Sequence, residues 1–425
     1  MTPFDLAAVF LAVIGAVGWL NVRFMRLPNA TVMVLAGLLA AGLLLLLHGV
    51  LPGDKSVGGL IDELRRLDFP RTVLGYMLAF LLFAGAMQVD MAELKRRAGS
   101  VWTLATLGVL ASTAIVGSGL WFAAKLLGLP LTLPWALVFG SLISPTDPIA
   151  VLAAVRHGKL SKRVEAILQG EALFNDGFGI VVFTAAVAIA SGGHEVSPLT
   201  TIFEVGIEAG GGFAIGLVLG VLVIRAMRAI DEYAVDVALS LALATGAYSL
   251  AQALHVSGPI AVVVAGLMIG DRAAKSAMSE ATQTYVRGFW TLIDEILNAL
   301  LFLLLGLEVI IIPFELRAAG LWAVGIVLVL LARFAVVLPW GAYFHIREKE
   351  QGVSTLLAWG GLHGALSLAL ALSLPKEGPR ELILSVTFAV VMFSVVVQGM
   401  TFAPLSVRID RRKHRSWPWP LGRRR

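Results

Sequence analysis

The chain has 425 residues, of which 58% are hydrophobic and 14% are charged, and its net charge is +5. This composition excludes an ordinary soluble domain and indicates a polytopic membrane protein. The chain contains no cysteine, which excludes disulfides and thiolate metal sites.

Apolar runs of about 20 residues, the length that crosses a bilayer, recur along the whole chain. We predict thirteen spans, at 4–20, 29–50, 70–88, 100–124, 131–155, 164–190, 199–224, 234–254, 257–270, 289–312, 319–343, 354–374 and 382–406. The first residues lack the positive charge of a signal peptide, so the first span is expected to remain as an uncleaved helix. The stretch 54–71 carries four acids and four bases and is predicted to be an amphipathic outer loop.

The distribution of positive charge predicts the orientation in the membrane. With the N-terminus outside, the cytoplasmic loops and the C-terminal tail hold 24 of the 33 Lys and Arg residues, and the outer loops hold 8. This predicts a multi-pass plasma-membrane protein with its C-terminus in the cytoplasm. The positive charge then faces the cytoplasm and gives no reason to expect a nucleic-acid partner.

The fifth span contains two prolines around an aspartate, in the sequence Ser144-Pro145-Thr146-Asp147-Pro148. Each proline lacks an N–H and clashes with the carbonyl four residues back, so Pro145 and Pro148 are predicted to break the helix in mid-membrane. Such a break is tolerated only where the backbone is buried or lines a cavity. A simple proline kink is the alternative, but the aspartate favours an oxygen-lined cation site with Thr146 as a further ligand.

The sixth span carries two carboxylates and an amide within the sequence Gly170-Glu171-Ala172-Leu173-Phe174-Asn175-Asp176-Gly177. A charge at the bilayer centre costs about 3 kcal/mol on insertion scales, so these groups indicate an ion or proton site. Helical spacing places Glu171 and Asn175 on one face and Asp176 on the neighbouring face. A buried Glu needs a partner, and we predict a structural ion pair between Glu171 and Arg333 of the eleventh span. Asp176 then remains to exchange a proton for a cation.

Two further spans carry polar groups whose role the residues leave open. Three glycines in the twelfth span, Gly360, Gly361 and Gly364, predict a second broken helix around His363. His363 is interpreted either as a hydrogen-bonded core residue or as a pH-sensitive group. In the tenth span, Asp294 and Glu295 are placed with equal weight in an inner vestibule or at a helix interface.

The two interrupted spans occupy equivalent positions. If spans 1–6 and 8–13 form two inverted halves, each break falls in the fifth span of its half, which is the pattern of a transporter site. The predicted fold is therefore all-α, with about 13 transmembrane helices in two inverted six-helix repeats and two broken helices that cross. The predicted divisions are 1–198 for the first repeat, 199–233 for a linker helix, 234–408 for the second repeat and 409–425 for a basic tail.

These motifs resemble those of the cation:proton antiporter-1 family, the NhaP-type and NHE-type sodium/proton exchangers. The resemblance rests on the Pro-Thr-Asp-Pro sequence, the Asn-Asp pair, Arg333 and the glycine-rich run around His363, and it covers nearly the whole chain in order. It implies a homodimer whose core domain comprises spans 4–6 and 11–13. It also implies that Asp176 binds Na⁺ or H⁺, with Thr146, Asp147 and Asn175 assisting.

The chain departs from this family at two positions. Family members usually carry Ser where this chain has Ala172, and Arg or Lys where it has His363. The first departure removes a hydroxyl from the Asp176 face and leaves the choice among Na⁺, Li⁺ and K⁺ open. The second replaces a fixed charge by a titratable one.

The sequence therefore predicts a transporter that exchanges Na⁺ for H⁺ by competition at Asp176, and not an enzyme. Members with Asn-Asp rather than two adjacent aspartates are similar in exchanging one cation for one proton, without net charge. No cofactor is expected beyond the transported ions. Three alternatives remain: K⁺/H⁺ exchange on the same fold, a passive cation channel, and an intramembrane aspartyl hydrolase built on Asp147 and Asp176, whose carboxylates would lie about 3 Å apart.

Overall fold

The computed structural model describes residues 2–50, 55–66, 68–147, 162–192, 198–271, 278–312, 318–348, 352–376 and 378–415. These residues are almost entirely helical and form no strand, apart from one isolated bridge between Asp147 and Leu362. The prediction of an all-α polytopic membrane protein is confirmed. Eight helical segments among the described residues are long and apolar enough to cross a membrane by length and composition, and three shorter apolar helices accompany them.

In the first half of the chain, the described residues form eight helices: α1 Pro3–Leu20, α2 Asn29–Val50, α3 Lys55–Arg66, α4 Leu78–Gln88, α5 Met91–Thr103, α6 Val109–Leu126, α7 Leu133–Ile143 and α8 Lys162–Ala190. In the second half, the described residues form nine: α9 Pro198–Ala229, α10 Tyr233–Ala253, α11 Gly258–Gly270, α12 Glu280–Leu307, α13 Ala319–Glu348, α14 Val353–Gly360, α15 Ala365–Leu372, α16 Arg380–Phe393 and α17 Gly399–Arg415. Each of the thirteen predicted spans coincides with helix in the described residues. The end of the fifth span, from Pro148 on, lies outside them.

The amphipathic stretch predicted as a loop contains a helix, α3. Its apolar residues Ile61 and Leu64 are buried in a small cluster with Ala41 of α2 and Ile310 after α12. Burying this apolar side stabilises the helix, which has too few apolar residues to span a membrane. The predicted tail also begins within helix, because α17 continues to Arg415.

The described residues include four π-helical segments, at Asn21–Met25, Arg71–Met77, Leu104–Gly108 and Ser394–Gln398. A π-turn leaves carbonyls whose bonding differs from that of an α-helix, and such turns are frequent at functional positions. The carbonyl of Val395 in the last turn accepts a hydrogen bond of 2.9 Å from the hydroxyl of Thr31 in α2.

The helices pack in two groups. Helices α5–α8 and α13–α17 pack mainly against one another, and we call them the core bundle. Helices α1–α4 and α9–α12 form the other group, the platform bundle. Helix α8 of the core bundle contacts α4 and α11 of the platform bundle, so α8 lies at the boundary between the two groups.

Glycines permit a close helix contact within the platform bundle. A Cβ added to Gly37 of α2 would lie 2.9 Å from the Cα of Gly306 in α12. Real side chains do not approach so closely, so the two backbones meet there only because both residues are glycine.

Candidate ion-binding site

The first interruption begins where α7 ends, at Ile143, two residues before Pro145. Proline cannot donate the next helical hydrogen bond, so the backbone leaves the helix there. The hydroxyl of Ser144 turns back onto the end of the helix: it donates to the carbonyl of Gly140 at 2.6 Å and lies 3.1 Å from the hydroxyl of Thr113. Ser144 and Thr146 are both buried, so a polar, non-helical segment is held inside the core bundle.

The second interruption separates α14 from α15 at residues 361–364. Gly364 is closely confined, because a Cβ there would clash with the side chain of Asp147. Gly361 is equally confined, since a Cβ would lie 2.7 Å from Cζ of Arg333. The glycines therefore let two charged side chains approach the broken backbone.

The two interruptions cross and bind each other. The backbone N–H of Asp147 donates to the carbonyl of Leu362 at 2.6 Å, in an antiparallel bridge. Nδ1 of His363 lies 3.2 Å from the carbonyl of Pro145, and the His363 backbone N–H donates to Oγ of Ser394 at 2.9 Å. Backbone groups freed by each break thus find partners on the other, which satisfies the requirement for buried polar groups.

Asp147 and Asp176 line one cavity of about 110 Å³ beside this crossing. Ala172, on the same helix as Asp176, lines it too, and the platform bundle contributes Asp294 and Asn298. No Lys or Arg belongs to the described lining. Carboxylate and carboxamide oxygens suit a hard monovalent or divalent cation, and a carboxylate can hold a proton instead.

Asn175 and Thr146 lie behind this cavity and not on its wall. Nδ2 of Asn175 donates to Oγ1 of Thr146 at 3.0 Å, and both residues are buried. Oδ1 of Asn175 is buried and has no hydrogen-bond partner among the described residues. This contact joins α8 to the broken end of α7 directly beside the two aspartates.

Glu171 is held on another side of α8 by Arg333 of α13. Nη1 of Arg333 contacts Oε1 of Glu171, and Nη2 donates to Oε2 at 2.8 Å. Nε and Nη2 of Arg333 also donate to the carbonyl of Leu357, at 3.3 and 3.1 Å. The exposed fractions of Glu171 and Arg333 are 1% and 7%, so the pair is shielded from water. A bidentate pair in this setting fixes both side chains.

The structure thus brings together Asp147 and Asp176 at a cavity, Asn175 and Thr146 behind it, and Glu171 and Arg333 apart from it. His363 is buried at the crossing and does not line the cavity. Pro148 lies outside the described residues. Sequence reasoning did not identify Gln88, which also lines the cavity, because a single glutamine at the end of a span carries no periodic or compositional signal.

Comparison with known proteins finds a family and several relatives that match most of this chain. The sequence profile of the family described as "Sodium/hydrogen exchanger, transmembrane" matches residues 9–408. The Na(+)/H(+) antiporter NhaP of Pseudomonas aeruginosa is 42% identical over 419 residues, which cover 95% of this chain and 96% of that protein. The Na(+)/H(+) antiporter NhaH of Halobacillus dabanensis is 37% identical, over 79% of this chain and 83% of its own.

A solved structure has a similar fold. The sodium proton antiporter MjNhaP1 of Methanocaldococcus jannaschii superposes with a TM-score of 0.69, over 96% of this chain and 98% of its own. The two sequences are 20% identical, so this likeness concerns the architecture of the helices.

Proposed function

Because the chain belongs to the sodium/hydrogen exchanger family, we propose that it exchanges Na⁺ for H⁺ by letting the two ions compete for the Asp176 carboxylate. The protein is a membrane transporter and not an enzyme. The observation that carries the proposal is the cavity where Asp176 and Asp147 meet beside the crossed broken helices, with no Lys or Arg in its described lining.

Competition follows from the chemistry of the carboxylate. When Asp176 is protonated, it is a weak ligand for Na⁺; when it loses the proton, it offers a full negative charge to the cation. Asp147 adds a second negative charge to the same cavity. A cation bound between them offsets the repulsion between the two carboxylates, so the site favours either a proton or a cation over remaining empty.

The crossing supplies rigidity to the site while the protein moves. Asp147, Leu362, Pro145 and His363 are tied by hydrogen bonds within the core bundle, so the two breaks move as one unit. We propose that the core bundle moves against the platform bundle and opens the cavity alternately to either side. The relatives named above are Na⁺/H⁺ antiporters, which supports Na⁺ as the cation.

Three finer features belong to the same proposal. The exchange is one cation for one proton, since Asn175 rather than a second acid precedes Asp176. The protein is a homodimer in the plasma membrane and associates through the platform bundle. Its N-terminus lies outside and its C-terminus lies in the cytoplasm, as the distribution of Lys and Arg indicates.

The test is proton movement in proteoliposomes when Na⁺ or K⁺ is added, with and without a clamped membrane potential. We expect Na⁺ to dissipate a pH gradient at a rate independent of the potential. Asp176→Asn should abolish this exchange, and Glu208→Gln, an exposed carboxylate on α9, should leave it unchanged. Size-exclusion profiles show whether each variant is folded.

Each result has a defined meaning. Exchange with K⁺ alone would replace Na⁺ in the proposal and favour the K⁺/H⁺ alternative. A rate that follows the clamped potential would contradict one-for-one exchange, because electrogenic transport responds to about 2.3 kcal/mol per charge per 100 mV. A folded Asp176→Asn protein that still exchanges ions would overturn the assignment of Asp176.

A further inference from the structure

A second and larger cavity lies next to the one that holds Asp176. Its volume is about 630 Å³, and we call it the vestibule. Its charged lining residues are two acids and two bases, Asp90, Lys95, Asp271 and Arg287. Gln88, at the end of α4, lines both the vestibule and the smaller cavity, so it stands where the two meet.

Helix α12 also passes from one cavity to the other. Trp290 and Thr291 line the vestibule, while Asp294 and Asn298, one and two turns further on, line the smaller cavity. Nε2 of Gln88 lies 3.4 Å from Oδ2 of Asp294. The contact between Gln88 and Asp294 therefore lies where the vestibule and the cavity of Asp176 adjoin, and we call this place the neck.

The hydrogen bonds at the neck orient its oxygens. Nδ2 of Asn298 donates to Oδ1 of Asp294 at 2.9 Å, and Nε2 of Gln88 is directed at Oδ2 and at the Ala84 carbonyl. The N–H groups of both carboxamides thus face Asp294 or backbone, so their carbonyl oxygens face elsewhere. Neutral N–H donors hold the Asp294 carboxylate in place without cancelling its negative charge, and a carboxylate suits a hard cation.

A cation that moves between the two cavities by this route passes Gln88 and Asp294. The vestibule itself offers no excess of negative charge in its described lining, because its two acids are matched by two bases. Asp294 is 8% exposed and is the carboxylate that α12 presents to the smaller cavity. A negative charge at the neck offsets lost hydration of a cation and raises the local concentration of cations.

We propose that Asp294 is a transport-path residue that binds the cation transiently at the neck, between the vestibule and Asp176. This inference rests on the proposed function, because it assumes that Asp176 is the site of exchange. Asp294 lies on the platform bundle and Asp176 on the core bundle, so the cation passes from one bundle to the other.

The test is the dependence of exchange rate on Na⁺ concentration for Asp294→Asn in proteoliposomes. We expect the KM for Na⁺ to rise about fivefold or more while the maximal rate at saturating Na⁺ stays within about twofold, since a transient ligand affects access more than turnover. Asp294→Glu should restore most of the KM. Glu295→Gln is the matched control, because it removes the same charge from the exposed neighbouring position on α12.

A folded Asp294→Asn protein with an unchanged KM would overturn the proposal. So would a loss of maximal rate at constant KM, which is the signature of a merely structural residue. If Asp294→Asn does not fold, Gln88→Lys replaces it: a positive charge beside Asp294 should raise the KM by a similar factor, and an unchanged KM would overturn the proposal.

The Asp176→Asn measurement separates the two proposals. If that variant is inactive while Asp294→Asn behaves as the unmodified protein, only the role of Asp294 fails. If Asp176→Asn remains active, the proposed exchange site itself fails, and the inference about the neck fails with it.

Discussion

Glu171 and Asp176 are two carboxylates on one helix, less than two turns apart. One has a fixed positive partner, and the other faces a cavity. Glu171 is locked by the guanidinium of Arg333 and is 1% exposed. Asp176 faces a cavity together with Asp147 and without a Lys or Arg among the described lining residues. The same functional group is thus neutralised by a fixed partner at one position and left available at the other.

This difference teaches how a buried acid becomes a transport site. A carboxylate with a bidentate guanidinium has a permanent counter-charge, and removing one partner leaves the other charge buried and uncompensated. A carboxylate at a cavity obtains its counter-charge from whichever ion enters. The fixed pair then holds α8 and α13 in register while Asp176 changes its occupant.

The most disruptive way to break this contrast is Glu171→Gln, which removes one partner of the pair. Arg333 would remain buried with a full charge, which costs about 3–5 kcal/mol. We expect a marked fall in the thermal midpoint of the purified protein, larger than that caused by Asp176→Asn. Differential scanning fluorimetry in detergent measures both.

Replacement of both partners sharpens the same test. Glu171→Met together with Arg333→Met removes the charges and keeps side chains of similar volume, so more than half of the lost stability should return. If the double variant were as unstable as Glu171→Gln, the uncompensated charge of Arg333 would not be the cause of the instability, and this explanation would fail.

A smaller effect is expected from Gly364→Ala, which disturbs the cavity that Asp147 and Asp176 line. The added methyl would clash with Oδ2 of Asp147 and shift that carboxylate within the cavity. We expect the exchange rate to fall about tenfold in a folded protein, since misplacing a liganding group costs more than its contact area suggests. Gly246→Ala is the control, because nothing lies within 4 Å of its added Cβ; equal rates for both would show that Asp147 tolerates the displacement.

Ala172→Ser tests whether an additional oxygen ligand in the cavity strengthens cation binding. Ala172 is 2% exposed and lines the cavity with Asp176, so a hydroxyl there adds a neutral ligand. We expect the KM for Na⁺ to fall about two- to threefold, because oxygen ligands favour a hard cation. Ala166→Ser, on the same helix and equally buried but not part of the cavity wall, should change nothing; an effect at both positions would point to the helix and not to the cavity.

The smallest effect is expected from His363→Gln. The ring lies at the crossing, bound to the Pro145 carbonyl, and does not line the cavity, while a glutamine amide can still donate to that carbonyl. We expect the exchange rate to stay within about twofold and the pH of half-maximal exchange to move by less than about half a unit, since the competing carboxylate is elsewhere. A shift of more than about one unit in the activity–pH curve would make His363 the pH-sensitive group.

Much of the fold was predictable because its signals are local. Runs of about 20 apolar residues define the spans, and Pro145 and the three glycines mark the breaks, since both residue types disturb a helix by their own geometry. The prediction of a loop at α3 is wrong because the helix is stabilised by contacts to Ala41 and Ile310, which lie in other parts of the chain.

The sequence predicts residues of the site only where a charged side chain lies within an apolar span, because such a charge is unusual there. Asp147, Glu171, Asp176 and Arg333 stand out in apolar runs, and the structure brings them together in pairs. Contacts between distant polar residues gave no such signal. Gln88 and Asp294 are 206 positions apart, and one sequence contains no information that joins them.

The π-helical turn Ser394–Gln398 affects how related sequences should align with this one. This turn holds one residue more than an α-helical turn, and the hydroxyl of Thr31 binds the carbonyl of Val395 within it. Deleting a single residue such as Val396 would allow an ordinary helix to close. Everything that follows would then rotate by about 100°, carrying Gln398 away from Ser394, to which it is hydrogen-bonded. A one-residue gap at this point in an alignment would therefore indicate that the last span packs differently against α2. We expect such a gap to coincide with a substitution of Thr31.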